Sequence, residues 1–109
     1  RDFAYVDDIV RGYCLLAEHG SPSGIYHFCS GIERSVKQIA DTIVKISGIA
    51  PSLRWNPDAR RVDIPRSVGD YSKARKELGW EPRVKFEDGI QKSIAWYRSQ
   101  LKSEKAQLA

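Results

Sequence analysis

The chain opens with Arg1-Asp2-Phe3-Ala4-Tyr5-Val6-Asp7-Asp8, a run that reads as a strand-to-helix transition. Aromatic and smaller residues alternate from Arg1 to Val6, which predicts a strand. Asp7-Asp8 then offers side-chain oxygens to the free N–H groups of a helix start. Ile9, Val10, Tyr13, Cys14, Leu16 and Ala17 follow at helical spacing, and Gly20 suits a left-handed closing position.

Working outward, Ser21-Pro22-Ser23-Gly24 is a turn cluster, and Ile25 to Cys29 is a second strand candidate. Ser35 and Gln38 match a capping box, in which each side chain satisfies a backbone donor of the other residue. Behind it, Val36, Ile39, Ala40, Ile43 and Ile46 make one apolar helix face that Gly48 closes. Pro51 breaks the chain, Leu53-Arg54-Trp55 reads as a short strand, and Asn56-Pro57-Asp58 turns it. Arg60 to Asp70 is an irregular charged connector containing Pro65. Asp70 is placed to cap a short helix, Tyr71 to Leu78, stopped by Gly79. Val84 and Phe86 are apolar anchors before a last amphipathic helix from Glu87 to about Leu101, and residues 102–109 read as a polar, fraying tail. This order has too few strands for a complete doubly wound sheet. It predicts a small mixed α/β unit docked on a larger domain.

Composition narrows the function classes. Of 109 residues, 41% are hydrophobic and 29% charged, the balance of one globular domain with one core. There is no methionine, so the chain is expected to be part of a longer polypeptide, its C-terminal part. No apolar run approaches the ~20 residues of a membrane span, and no leader resembles a signal peptide. Cys14 and Cys29 lack zinc-ligand spacing, and one pair is too few for a disulfide scaffold, which suits a reducing, cytoplasmic setting. The net charge of +4 favours anionic partners. The cations are spread along the whole chain, so neither nucleic acid nor a membrane surface is expected as a partner.

Chemistry is then read by what is missing and what remains. The glycines are never closer than four residues apart, so no glycine-rich dinucleotide turn exists and no cofactor-binding residue is expected in this chain. The residues four after Tyr5, Tyr13, Tyr26, Tyr71 and Tyr97 are Ile9, Ala17, Ser30, Arg75 and Leu101, so no Y-x-x-x-K pair exists. His19 and His27 are solitary. Neither a catalytic residue nor a metal ligand is expected. Two arginines remain as anion-binding candidates: Arg1, before the first helix, and Arg60 on the connector, with Asp63 three residues on. A planar guanidinium suits phosphate oxygens. Taken alone, R-x-x-D on a loop reads more readily as a surface salt bridge.

The ordered set of motifs adds to this. The opening R-D-F-x-Y-V-D-D, Gly24-Ile25-Tyr26-His27-Phe28-Cys29-Ser30-Gly31, Arg60-Arg61-Val62-Asp63, Asp70-Tyr71-Ser72-Lys73-Ala74, Leu78-Gly79-Trp80-Glu81-Pro82 and Phe86-Glu87-Asp88-Gly89-Ile90 occur in one order. Together they resemble the C-terminal part of the extended short-chain dehydrogenases/reductases, the nucleotide-sugar epimerases, dehydratases, decarboxylases and 4-keto reductases. The resemblance spans residues 1 to about 98. It implies a substrate-binding region over residues 1–101 of a Rossmann-type enzyme. An N-terminal domain, absent from this chain, would carry NAD or NADP and the catalytic groups, and the whole protein would be a homodimer. It further implies that Arg1 and Arg60 meet the substrate diphosphate and that Asp63 lies near the nucleotide ribose. Asp8, Gly79, Trp80 and Pro82 read as architecture. His27 departs from the family, which often has Asn there. The opening resembles the UDP-sugar branch, and the stretch from Arg60 to Asp70 resembles the GDP-4-keto-6-deoxymannose reductases, so UDP- and GDP-sugars both stay open. The reading from another class is a stand-alone, non-catalytic binding or interaction module of basic character.

Overall fold

A computed structural model describes residues 1–49, 51–54, 56 and 64–108. Among them are four helices: α1 (Val6–His19), α2 (Val36–Ser47), α3 (Ser72–Leu78) and α4 (Phe86–Leu108). They pack in two pairs, α1 on α3 and α2 on α4. Segment 1–5 joins the pairs. It runs directly into α1, while Phe3 and Tyr5 line a cavity of 190 Å³ with Ile39 of α2 and Phe86 and Ile90 of α4.

The core sits in the α1/α3 half. Ala74, Leu78 and Trp80 are buried there, and Leu15, Leu16, Tyr26, Phe28 and Tyr71 pack around them. The Phe28 ring lies 4.9 Å from Trp80, and the Tyr71 ring meets Trp80 edge-on at 5.8 Å. Phe28 also presses on the backbone of α1. A Cβ at Gly12 would come within 2.8 Å of its ring, so a glycine inside the helix makes room for the aromatic cluster. In the other half, Arg98 of α4 donates to the Ser47 carbonyl oxygen at 2.8 Å, satisfying a free acceptor at the end of α2.

Local signals account for much of this. The capping box forms: the Gln38 N–H donates to Ser35 Oγ at 3.1 Å, and the Ser35 N–H donates to Gln38 Oε1 at 2.7 Å. Gly48 and Gly79 end α2 and α3 in the left-handed conformation. The expected helix from Tyr71 starts at Ser72, with Tyr71 as a cap position that makes no side-chain cap bond, and Asp70 just before it accepts the Ser72 N–H at 2.8 Å.

Four local expectations are corrected. The expected strands Arg1 to Val6 and Ile25 to Cys29 are not strands. Segment 1–5 pairs with its neighbour at a single antiparallel bridge, Asp2 with Glu33, and residues 25–29 have no ladder partner among the described residues, although Phe28 packs into the core. Leu53 and Arg54 are not in a strand either, and Trp55 lies outside the described residues. Second, the Asp7-Asp8 pair does not cap α1. The cap position is Tyr5, which makes no side-chain cap bond, because Asp8 lies inside the first turn and faces residues 83–84. Third, Gly20 is extended (φ −67°, ψ 143°), and the chain leaves α1 directly into the following turn. Fourth, α4 continues to Leu108, past the expected end at Leu101. Residues 102–108 are mostly strong helix formers, without Gly or Pro, so no residue there stops the helix.

Among the described residues, no helix is long and apolar enough to cross a membrane, and no group of three His, Cys, Asp or Glu side chains is placed to hold a metal.

Candidate functional site

Arg1 and Asp2 start on an extended segment that lies against residues 30–34. The Arg1 nitrogen donates to the Arg34 carbonyl oxygen at 2.7 Å, and the Arg34 N–H returns a bond to the Arg1 carbonyl at 2.9 Å. This pair of backbone bonds fixes the register that places Asp2 opposite Glu33. From there the Arg1 guanidinium reaches the carbonyl oxygen of Ile64. Ile64 directly follows Asp63 in sequence, so Arg1 meets the charged connector within its length. The connector's other predicted site residues, Arg60 and Asp63, lie outside the described residues.

Asp2 is more deeply engaged than its neighbour. Its Oδ1 accepts the Ser30 N–H and the Ser30 hydroxyl, both at 2.7 Å. Its Oδ2 accepts the Gly31 N–H at 2.9 Å and the Gly69 N–H at 3.1 Å. One carboxylate therefore joins three segments that are distant in sequence. Burial pushes this carboxyl up, but the bonds from Ser30, Gly69 and Gly31 outweigh it and hold the group below the usual carboxylate range. Gly69 comes this close because it has no side chain: a Cβ there would stand 2.5 Å from Cys29 Sγ. Burial, then the negative charge of Asp2, pushes the Cys29 thiol up, so it stays protonated at neutral pH.

A surface ion pair completes the attachment. Arg66 contacts the Glu33 carboxylate at 2.8 and 2.9 Å. The Arg66 hydrogen bond is the main reason that the Glu33 carboxyl lies below its ordinary value. Beside this cross-link a shallow groove of 440 Å³ runs from Tyr13 and Leu16 past His27 and Cys29 to Ser67 and Gly69.

The sequence singled out Arg1 but passed over Asp2, Ser30 and Gly69. All three stand in quoted motif blocks or beside one, yet nothing in a linear reading says that they converge. Asp8, expected to be architectural, makes a second carboxylate anchor. Its Oδ2 accepts the Arg83 and Val84 N–H groups, both at 2.9 Å, and its Oδ1 pairs with Arg11 at 2.9 Å. Asp8 is 2% exposed, and it holds the segment between α3 and α4 onto α1. Three segments, at residues 30–31, 69 and 83–84, are thus tied down by aspartates from one eight-residue opening.

Comparison with known proteins agrees with this architecture. The chain is 37% identical over 101 residues to a dTDP-glucose 4,6-dehydratase of an Actinoplanes species, matching 91% of this chain and 31% of the relative. Its fold superposes with a TM-score of 0.85 on a Thermotoga maritima UDP-glucose 4-epimerase solved with UDP-glucose, at 33% identity over 93% of this chain and 32% of that one. A Bifidobacterium longum UDP-glucose 4-epimerase, solved with NAD+ and UDP, gives a TM-score of 0.81 at 29% identity, covering 91% and 30% of the two chains. The chain thus spans about a third of the length of these relatives, and its fold is part of a Rossmann-type α/β enzyme. The family model for GDP-mannose 4,6 dehydratase matches residues 1–93, and the chain belongs to that family, among the extended short-chain dehydrogenases/reductases.

Proposed function

We propose that this chain binds the nucleoside diphosphate of a nucleotide-sugar as part of an NAD- or NADP-dependent epimerase, dehydratase or 4-keto reductase. The observation that carries this reading is the approach of the Arg1 guanidinium to Ile64, the residue after Arg60-Arg61-Val62-Asp63. On this reading Arg1 and Arg60, from separate segments, both meet the diphosphate, and Asp63 accepts a ribose hydroxyl. A charge-assisted hydrogen bond of this kind contributes about 1.5–3 kcal/mol when sheltered. Support also comes from the nucleotides held by two of the structural relatives, UDP-glucose in one and NAD+ with UDP in the other.

The division of labour follows from what this chain contains. Its glycines are too widely spaced to cradle a dinucleotide, so the nicotinamide cofactor belongs to another part of the enzyme. The residues of this chain hold the diphosphate end of the substrate and so orient the sugar toward the reacting centre. The base is that of a UDP- or GDP-sugar. The complete enzyme is a cytoplasmic homodimer whose dinucleotide-binding domain precedes residue 1.

The test is Arg60→Ala in the protein expressed from its complete reading frame. Nucleotide-sugar Kd and KM are expected to rise by about one to two orders of magnitude, with cofactor affinity unchanged. Unchanged nucleotide-sugar affinity contradicts the reading.

A further inference from the structure

The base and the tip of the Arg1 side chain are held by different parts of the chain, and one carboxylate connects the two. At the base, the Arg1 main chain exchanges backbone bonds with Arg34 at 2.7 and 2.9 Å, and the neighbouring Glu33 is bridged to Asp2. At the tip, the Arg1 guanidinium donates to the carbonyl oxygen of Ile64. Glu33 in turn takes both contacts of Arg66, two residues beyond Ile64, at 2.8 and 2.9 Å. The contacts close a ring, from Arg1 to residues 33–34, from Glu33 to Arg66, and from Ile64 back to Arg1.

We propose that Glu33 is a positioning residue for nucleotide-sugar binding: by holding Arg66, it places the Ile64 carbonyl where it orients the Arg1 guanidinium for the substrate diphosphate. This rests on the nucleotide-binding reading above, and only on the role that reading gives to Arg1.

The argument is one of chain reach. Segment 64–69 forms no helix or strand, and its deeper attachment is the bond of Gly69 to Asp2. Five residues of extended chain span about 17 Å, so that attachment alone leaves Ile64 free to swing away from Arg1. Arg66 brings a second attachment within two residues, a span of about 7 Å. Between them stands Pro65, which fixes its own φ and restricts Ile64 to extended conformations. A displacement at Arg66 is therefore passed on to Ile64 rather than absorbed. A guanidinium that Ile64 already holds loses less rotamer freedom on taking a phosphate than one that samples solvent. Arg66 is 78% exposed, and an exposed ion pair adds little to overall stability. Loss of the pair thus acts on binding more than on folding.

The experiment uses the protein expressed from its complete reading frame. UDP, GDP and dTDP are titrated first, and the tightest binder is followed through the variants. Glu33→Ala is expected to weaken it about threefold, and Arg66→Ala by a similar factor. Both substitutions together are expected to weaken it no more than either alone. In an Arg1→Ala background, Glu33→Ala is expected to change nothing, because no guanidinium remains to be oriented; a merely structural role would weaken binding in either background. Arg66→Ala in the same two backgrounds keeps the test open if Glu33→Ala fails to fold. Unchanged affinity in Glu33→Ala and Arg66→Ala, while Arg1→Ala weakens the diphosphate, overturns the inference, as does equal weakening with and without Arg1. If Arg1→Ala itself leaves the affinity unchanged, Arg1 is no phosphate ligand. That result sinks the reading beneath the inference, and it is distinguishable because it involves no change at Glu33 or Arg66.

Discussion

The indole N–H of Trp80 donates to the main-chain carbonyl oxygen of Asp8 at 2.8 Å, across 72 residues of chain. Trp80 is fully buried, and the carboxylate of the same aspartate holds the Arg83 and Val84 N–H groups. One residue of α1 thus serves both the core tryptophan and the loop that follows it. Trp80→Ala is expected to cost about 3–5 kcal/mol, a large share of what a small domain has. Trp80→Phe keeps most of the ring packing but strands the Asp8 carbonyl, at a cost of about 1–3 kcal/mol. Urea denaturation of the two variants separates the packing contribution from that of the hydrogen bond.

Acid stability should depend on the two anchoring aspartates. Burial raises the Asp8 carboxyl, but the Val84 N–H, the Arg11 guanidinium and the Arg83 N–H together pull it below its ordinary value of 3.8. Asp2 is lowered by its own ring of donors. A carboxyl whose folded pKa is depressed binds its proton more readily in the unfolded state. Its stabilisation is therefore complete above about 3.8 and is lost as the pH falls through the lower folded value. Denaturation midpoints measured from pH 5 downward are expected to fall steeply below pH 4 (about the unfolded carboxylate value) and less steeply in Asp8→Asn, which has no proton to gain there. An identical slope in the variant contradicts the assignment.

The two cysteines should differ in reactivity. Cys14 is exposed on α1, while Cys29 is buried against Gly69 with its thiol pushed up by burial and by Asp2. A maleimide at neutral pH is expected to modify Cys14 quickly in the native 109-residue chain and Cys29 only after unfolding. Peptide mass spectrometry reads the two sites separately. Asp2→Asn should speed Cys29 modification, since it loosens the segment that covers the thiol.

One face of α1 presents Val6, Val10 and Tyr13 to solvent, each more than half exposed. Such a stripe opposite a buried face marks an association surface. The 109-residue chain is expected to bind an apolar dye or to self-associate, and Val10→Asp should reduce either effect without lowering the unfolding midpoint. A monodisperse monomer that binds no dye contradicts this.

How much was legible depended on the reach of each interaction. The Ser35–Gln38 capping box and the helix ends at Gly48 and Gly79 depend on residues three or four apart, and they could be read directly. Trp80 was recognisable as architectural from its motif, and the structure buries it in the core. Asp8 was legible as an anchor but not in what it anchors, because its partners Arg83 and Val84 are 75 and 76 residues away. The strands were misread for a related reason. Alternation between Arg1 and Val6 records a segment with two unlike sides, and only the pairing at Glu33 reveals how short its ladder is. Asp2 was invisible as a site residue since its role exists only where residues 30, 31 and 69 meet.

The most direct test of the central claim is a crystal structure of the protein, expressed from its complete reading frame, with a nucleotide-sugar or its nucleoside diphosphate bound. The account predicts phosphate oxygens within hydrogen-bonding distance of both the Arg1 and Arg60 guanidiniums, with the Asp2 carboxylate still on Ser30, Gly31 and Gly69. A diphosphate held elsewhere, with neither arginine in contact, would contradict it.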